Sequence, residues 1–176
     1  NGEILRRMNR RGNYESLSAL IDRSREKIPG VTLRTTLITG FPGETEEQFA
    51  ELYDIVKKIR FDRAGVFAYS QEEDTPAAGF DNQIDEETKA KRLDALMTLQ
   101  QEISLEKNKS KISQVVEVLT EGYDETNYMY FGRSRADSIG VDSLVYFAAE
   151  DEVEIGEIVN VEILDADEYD LTGKQV

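Results

Sequence analysis

Three residue types are missing from this 176-residue chain: cysteine, histidine and tryptophan. Without cysteine there is no disulfide, and no thiolate to ligate a metal. Without histidine there is no imidazole ligand, and Cys–His and Ser–His–Asp catalysis are excluded within the chain. Any metal would have to be held by carboxylates alone. No long apolar run and no signal-like start occur, so a soluble, cytoplasmic protein with no membrane association is expected. The first residue is Asn1 rather than Met, and the expectation is a fragment of a longer protein. The three prolines, Pro29, Pro42 and Pro76, all stand where a regular pattern breaks.

Basic residues are also scarce in one part of the chain. The whole carries 36 acidic and 21 basic side chains, net −15. Residues 1–112 are nearly balanced at net −2, whereas residues 113–176 hold 16 acidic and only 3 basic side chains, net −13. Two domains, 1–112 and 113–176, are therefore expected to have different partners.

What is present is most informative at Leu33 to Thr45, LRTTLITGFPGET. Val31 to Thr39 is rich in Val, Leu, Ile and Thr and reads as a strand. Gly40, Pro42 and Gly43 break it. Thr45 to Gln48 then fits a capping box that opens a helix to about Arg60. A strand turning through glycine into a helix places backbone groups at the carboxyl edge of a sheet, where α/β proteins bind ligands. Alternation puts Arg34, Thr36 and Ile38 on one face, continued by Gly40. That face could floor a cavity for an anionic, partly apolar ligand. The plainer reading is an ordinary turn with Arg34 in solvent.

Elsewhere in the first domain, Ile4 to Arg11 carries four arginines and reads as a short helical end or loop. Asn13 can cap a helix over Tyr14 to Ile28, with a buried stripe expected at Tyr14, Leu17, Leu20, Ile21 and Ile28. Asp62 to Ser70 reads as a second strand covered on both faces. A loop from Gln71 to Gln83 leads to a helix capped by Asp85, with a seam at Leu93, Leu96, Met97 and Ile103 and an otherwise solvated charged face. Two strands cannot close a barrel, so further strands are expected before Asn1. After Ser113 the pattern becomes five short strands: Gln114–Glu121, Tyr128–Arg133, Ser143–Phe147, Glu157–Asp165 and Tyr169–Val176. They suggest a small β-barrel.

Arg6-Arg7-Met8-Asn9-Arg10-Arg11, Gly40-Phe41-Pro42-Gly43-Glu44-Thr45, Phe67-Ala68-Tyr69-Ser70 and Asp74-Thr75-Pro76-Ala77 together resemble the C-terminal half of the radical S-adenosylmethionine methylthiotransferases. The closing strands resemble a TRAM domain. Gly132-Arg133-Ser134 and the run Asp165 to Leu171 resemble the branch that acts on a ribosomal protein. The resemblance implies a fold class of α/β followed by all-β: the last part of a partial (β/α) barrel and a five-stranded antiparallel, OB-like barrel. It implies a parent enzyme with S-adenosyl-L-methionine and two [4Fe-4S] clusters, which places a methylthio group on the β-carbon of an aspartate in a small-subunit ribosomal protein. Such clusters need thiolates. This fragment is thus expected to bind none of these cofactors, to contain no catalytic residue and to be inactive alone.

By the same resemblance, Thr36, Ile38 and Gly40 would pack against the adenosyl group and Phe67, Ala68 and Tyr69 would offer backbone groups to adenine. Arg34, on the same strand face as Thr36 and Ile38, is expected to pair with the cofactor's carboxylate or a nearby acid, the alternative being a structural salt bridge.

TRAM domains commonly bind RNA, and a sister branch of the family modifies tRNA adenosine. RNA binding needs basic side chains against phosphates, and Arg133, Arg135 and Lys174 face sixteen carboxylates. A basic ribosomal protein, not nucleic acid, is the expected partner. Glu150, Asp151, Glu152, Glu154, Asp165, Asp167, Glu168 and Asp170 are expected to supply much of the docking field. The alternatives are a tRNA adenosine methylthiotransferase and a non-enzymatic acidic adaptor module. A monomer is expected.

Overall fold

Helix signals at two points in the sequence settle the start of the chain. The computed structural model describes all residues, Asn1–Val176. Asn13 caps α2 (Tyr14–Lys27) by accepting from the Ser16 amide, while the Ser16 hydroxyl accepts from the Asn13 amide. Thr45 and Gln48 make the same reciprocal pair at α3 (Glu46–Ile59). Each pair satisfies amides that the first helical turn leaves without partners. A short α1 (Gly2–Arg7) precedes them.

The chain divides into two compact units, Asn1–Gln100 and Gln101–Val176. In the first, β1 (Arg34–Thr39) and β2 (Arg63–Ala68) form a two-stranded parallel sheet, with Thr36 opposite Gly65 and Ile38 opposite Phe67. Helix α3 is the crossover between them, as parallel pairing requires. Asp85 begins α4 (Glu86–Lys109) by accepting from the Thr88 amide and hydroxyl. Phe41, Val56, Ile59, Phe61, Val66, Leu96 and Leu99 make the core of this unit.

Three expectations for this unit are corrected. The apolar stripe of α2 is not buried: Leu17, Leu20 and Ile28 are exposed, and the helix has no buried residue. Tyr14 and Ile21 are half-buried, with Lys58 of α3 over the Tyr14 ring, but the rest of the stripe has the period without the cover. Strand β2 is not covered on both faces, since Phe67 is 61% exposed. The charged face of α4 is not wholly solvated: Lys89 and Arg92 are buried, whereas Met97 of the expected seam is exposed.

The second unit is a closed barrel in the order β3-β4-β5-β7-β6, with β6 returning to β3. Its strands are β3 (Val115–Asp124), β4 (Met129–Ser134), β5 (Val145–Ala148), β6 (Ile158–Ala166) and β7 (Leu171–Gln175). Strand β6 shows the alternation that fills such a barrel: Val159, Val161 and Ile163 point inward to Val118, Val145, Phe147, Val153 and Leu171. Four seams are antiparallel, as expected; β5 and β7 run parallel, with Val145 opposite Leu171. Two glycines permit close approach of strands. A Cβ on Gly132 would lie 2.0 Å from the Leu119 carbonyl oxygen, and one on Gly173 would lie 2.3 Å from that of Glu162.

Candidate functional site

The turn after β1 is built around one carboxylate. Glu44 Oε1 accepts from the Gly40 amide at 3.0 Å, from the Thr39 hydroxyl at 3.2 Å and from Arg92 Nη1 at 2.8 Å. Arg92 also donates to the Glu44 carbonyl at 3.2 Å and, through Nη2, to Glu46. The Glu44 and Arg92 side chains are 4% and 5% exposed. Burying a charge is costly unless it is paired and hydrogen-bonded; here the pairing fixes the loop from Gly40 to Glu44, while the buried Arg92 Nε has no hydrogen-bond partner. The Gly43 amide donates to the Asn82 carbonyl at 2.8 Å. Gly40 has φ +73°, and a Cβ there would meet Lys89 Cγ at 2.6 Å. The turn is thus tightly packed, with the Gly40 donor already engaged.

Aromatic rings extend this knot. Phe41 meets Tyr69 edge-on at 5.3 Å and Phe80 at 6.1 Å. The Arg7 guanidinium lies 5.8 Å from the Phe41 centroid and 5.5 Å from that of Phe80. Lys89 lies 5.4 Å from the Tyr69 centroid. These cations are attracted by the electron-rich ring faces.

Of the residues assigned to a cofactor, Thr36, Ile38 and Phe67 share one face of the sheet. Thr36 and Phe67 are exposed there, and Ile38 is half-buried. Ala68 and Tyr69 are half-buried at the carboxyl end of β2, and the Tyr69 amide donates to the Thr39 carbonyl. Arg34 is exposed at the opposite, amino end of β1, about 16 Å from Thr39 along an extended strand, and the chain itself engages it. A pocket of about 120 Å³ between α1, β1 and α3 is lined by Ile4, Met8, Thr36, Ile38 and Leu52 among others. It is well below the roughly 300–1,000 Å³ of sites that enclose a drug-sized ligand. An exposed phenylalanine beside Thr36 does suit the flat face of a nucleoside. No donor set in the chain suits an iron–sulfur cluster, because there is no thiolate.

The eight acidic residues assigned to docking fall into separate groups. Glu150, Asp151 and Glu152 follow the end of β5, are exposed and border a groove of about 290 Å³. Glu154 is exposed in the next turn. Asp165 lies near the end of β6, and Asp167, Glu168 and Asp170 lie between β6 and β7, near the start of β5, where Asp170 accepts from the Leu144 amide at 2.7 Å. Asp167 accepts from the Tyr169 and Asp170 amides at 2.8 and 2.7 Å, so it also shapes the turn. The buried Asn108 donates to the Asp167 and Tyr169 carbonyls and holds that turn against the end of α4. Two of the three cations that RNA binding could draw on are paired with neighbours: Arg133 bonds Glu121 at 2.7 Å and Lys174 bonds Glu162 at 3.2 Å. Arg135 is exposed.

Sequence reasoning missed Arg92, Asn108 and the tyrosines of the groove. A signal for Arg92 existed: Lys89, Arg92, Leu96, Leu99 and Ile103 share one helical stripe, and all are buried.

Residues 112–176 match the TRAM domain family. The chain is 51% identical over 170 residues to the ribosomal protein uS12 methylthiotransferase RimO of Clostridioides difficile, covering 97% of the chain and 38% of that protein. It is 48% identical over 174 residues to RimO of Pelotomaculum thermopropionicum, covering 98% and 39%, and 44% identical over 174 residues to RimO of Acetivibrio thermocellus, covering 99% and 38%. The chain therefore spans less than two-fifths of the length of the curated relatives it matches.

Proposed function

We propose that the chain is the C-terminal part of a cytoplasmic enzyme of the RimO methylthiotransferase family, one that methylthiolates an aspartate of ribosomal protein uS12; its likeness to RimO proteins over nearly all of its length supports this reading. Residues 1–112 contribute strands of the cofactor barrel, and residues 113–176 dock the substrate. S-adenosyl-L-methionine, with clusters held by thiolates outside this chain, would supply the radical chemistry needed at an unactivated β-carbon. Within this chain, Thr36, Ile38 and Phe67 form an open face on which the nucleoside rests, and the backbone from Phe67 to Tyr69 reaches its base. The Glu44–Arg92 pair fixes the end of β1 and the turn after it beside that face. Arg34 lies further along the same face and meets the charged amino-acid end of the cofactor.

The observation that carries the docking assignment is the charge of residues 113–176. They stand at net −13, and Arg133 and Lys174 are already paired with carboxylates. Such a surface repels phosphates and speeds encounter with a basic protein. The test is binding of the 176-residue chain to purified uS12 and to tRNA across a salt series. The expected result is uS12 binding that weakens as salt rises and no tRNA binding. Affinity for uS12 that ignores ionic strength, or salt-sensitive tRNA binding, overturns the assignment.

A further inference from the structure

The barrel carries a groove whose chemistry is narrower than a diffuse negative field. Tyr123, Tyr128 and Tyr130 line it, Ala148 and Ala149 also contribute to its walls, and Glu150, Asp151 and Glu152 stand beside them. Tyr130 is fixed in place. It stacks on the buried Phe147 at 5.6 Å, and its hydroxyl accepts from the Val153 amide at 3.2 Å. Tyr123 meets Tyr130 edge-on at 4.9 Å. Tyr128 is 78% exposed and has φ +56°, a conformation bulky residues seldom adopt. The preceding turn holds it there, with Asp124 accepting from the Thr126 amide and from Asn127 Nδ2.

We propose that this groove is a pocket for a single arginine side chain of the basic protein partner, stacked on the tyrosine rings and forked onto the carboxylates of Glu150, Asp151 and Glu152. The proposal rests on the reading of the acidic barrel as a protein dock. A volume of about 290 Å³ is just under the range for drug-sized ligands and suits one long side chain. Ring faces attract cations, and a planar guanidinium both stacks on tyrosine and bonds carboxylates bidentately, which lysine cannot do. No lysine or arginine of the chain lines the groove. In the first unit, by contrast, Lys58 lies over Tyr14 and Lys89 over Tyr69, so cations of the chain occupy those rings. Tyrosines can equally stack nucleobases, but three carboxylates beside them oppose the phosphates that would follow.

The experiment titrates the 176-residue chain with hexa-arginine, hexa-lysine and oligouridine, following binding by NMR. The Tyr128→Leu, Tyr128→Phe and Glu150→Gln/Glu152→Gln variants are titrated alongside. Tyr128 is exposed, so its variants should fold normally. The expected result is that hexa-arginine binds more tightly than hexa-lysine, with its guanidinium-side protons shifted upfield by ring currents. Tyr128→Leu should weaken binding roughly two- to fivefold, Tyr128→Phe should largely preserve it, and the double glutamine variant should weaken it further. Salt-sensitive binding of both peptides that ignores Tyr128 and shows no ring-current shift overturns the pocket while leaving the acidic dock standing. No binding of either basic peptide overturns both. Oligouridine binding that is lost in Tyr128→Leu overturns the pocket in favour of a base-stacking platform.

Discussion

Glu44 Oε1 and Arg92 Nη1 lie 2.8 Å apart across 48 residues of sequence, both side chains almost wholly excluded from water. Removing one partner leaves an uncompensated buried charge, which costs about 3–5 kcal/mol where it has been measured. Arg92→Met should therefore destabilise the chain by that order in urea unfolding. Glu44→Gln, which keeps hydrogen-bonding atoms, should cost less. Combining the two should cost less than the sum, because the double variant buries no lone ion.

Close contact between strands makes a second expectation. Gly132→Ala would set a methyl against the Leu119 carbonyl of the neighbouring strand, where no flexible side chain can yield. A loss of at least about 3 kcal/mol is expected, at the upper end of overpacking costs. Gly79→Ala is the control: nothing lies within 4 Å of its Cβ, and its effect should stay within about 0.5 kcal/mol. Thermal melts of the two variants make the comparison.

Asn108 is the anchor of the turn between β6 and β7. Asn108→Ala removes its bonds to the Asp167 and Tyr169 carbonyls and should cost about 1–3 kcal/mol. Amide hydrogen exchange should quicken at Tyr169 and Asp170, whose own donors go to Asp167.

Acid should weaken the start of α4. Hydrogen bonds from the Thr88 amide and hydroxyl hold the Asp85 carboxyl below its ordinary range. A depressed folded-state pKa stabilises above the unfolded value, and that stabilisation is lost as pH falls through the folded value. Asp85→Ala should thus be less stable than the parent at neutral pH. The difference should shrink on acidification through the carboxylate range, measured by unfolding at a series of pH values.

Local signals proved readable because each depends on adjacent residues. Asn13, Thr45 and Asp85 announce their helices by the group three positions on, and β6 announces its inward face by strict alternation of Val159, Val161 and Ile163 with polar or exposed neighbours. The resemblance was carried by Gly40 to Thr45 and the acidic run from Asp165, again contiguous stretches. What was misjudged depends on distant partners. The stripe of Leu17, Leu20 and Ile28 has the right period, but period alone does not supply a covering surface. Arg92 looked solvated because a carboxylate 48 residues away decides its burial. The tyrosine groove draws on β3, the turn into β4 and the segment after β5, and no single window of sequence contains all three.

The parallel seam between β5 and β7 has a consequence for synthesis. Strand β7 is bonded on both sides, to β5 and to β6, yet it is the last of the five to emerge from the ribosome. Until it does, β5 and β6 each present an unpaired edge, the kind of surface that invites pairing with another nascent chain. Closure of the barrel is therefore a late, all-at-once event, and a stop codon or ribosome stall just before Leu171 would release an adhesive intermediate in place of a slightly shortened domain.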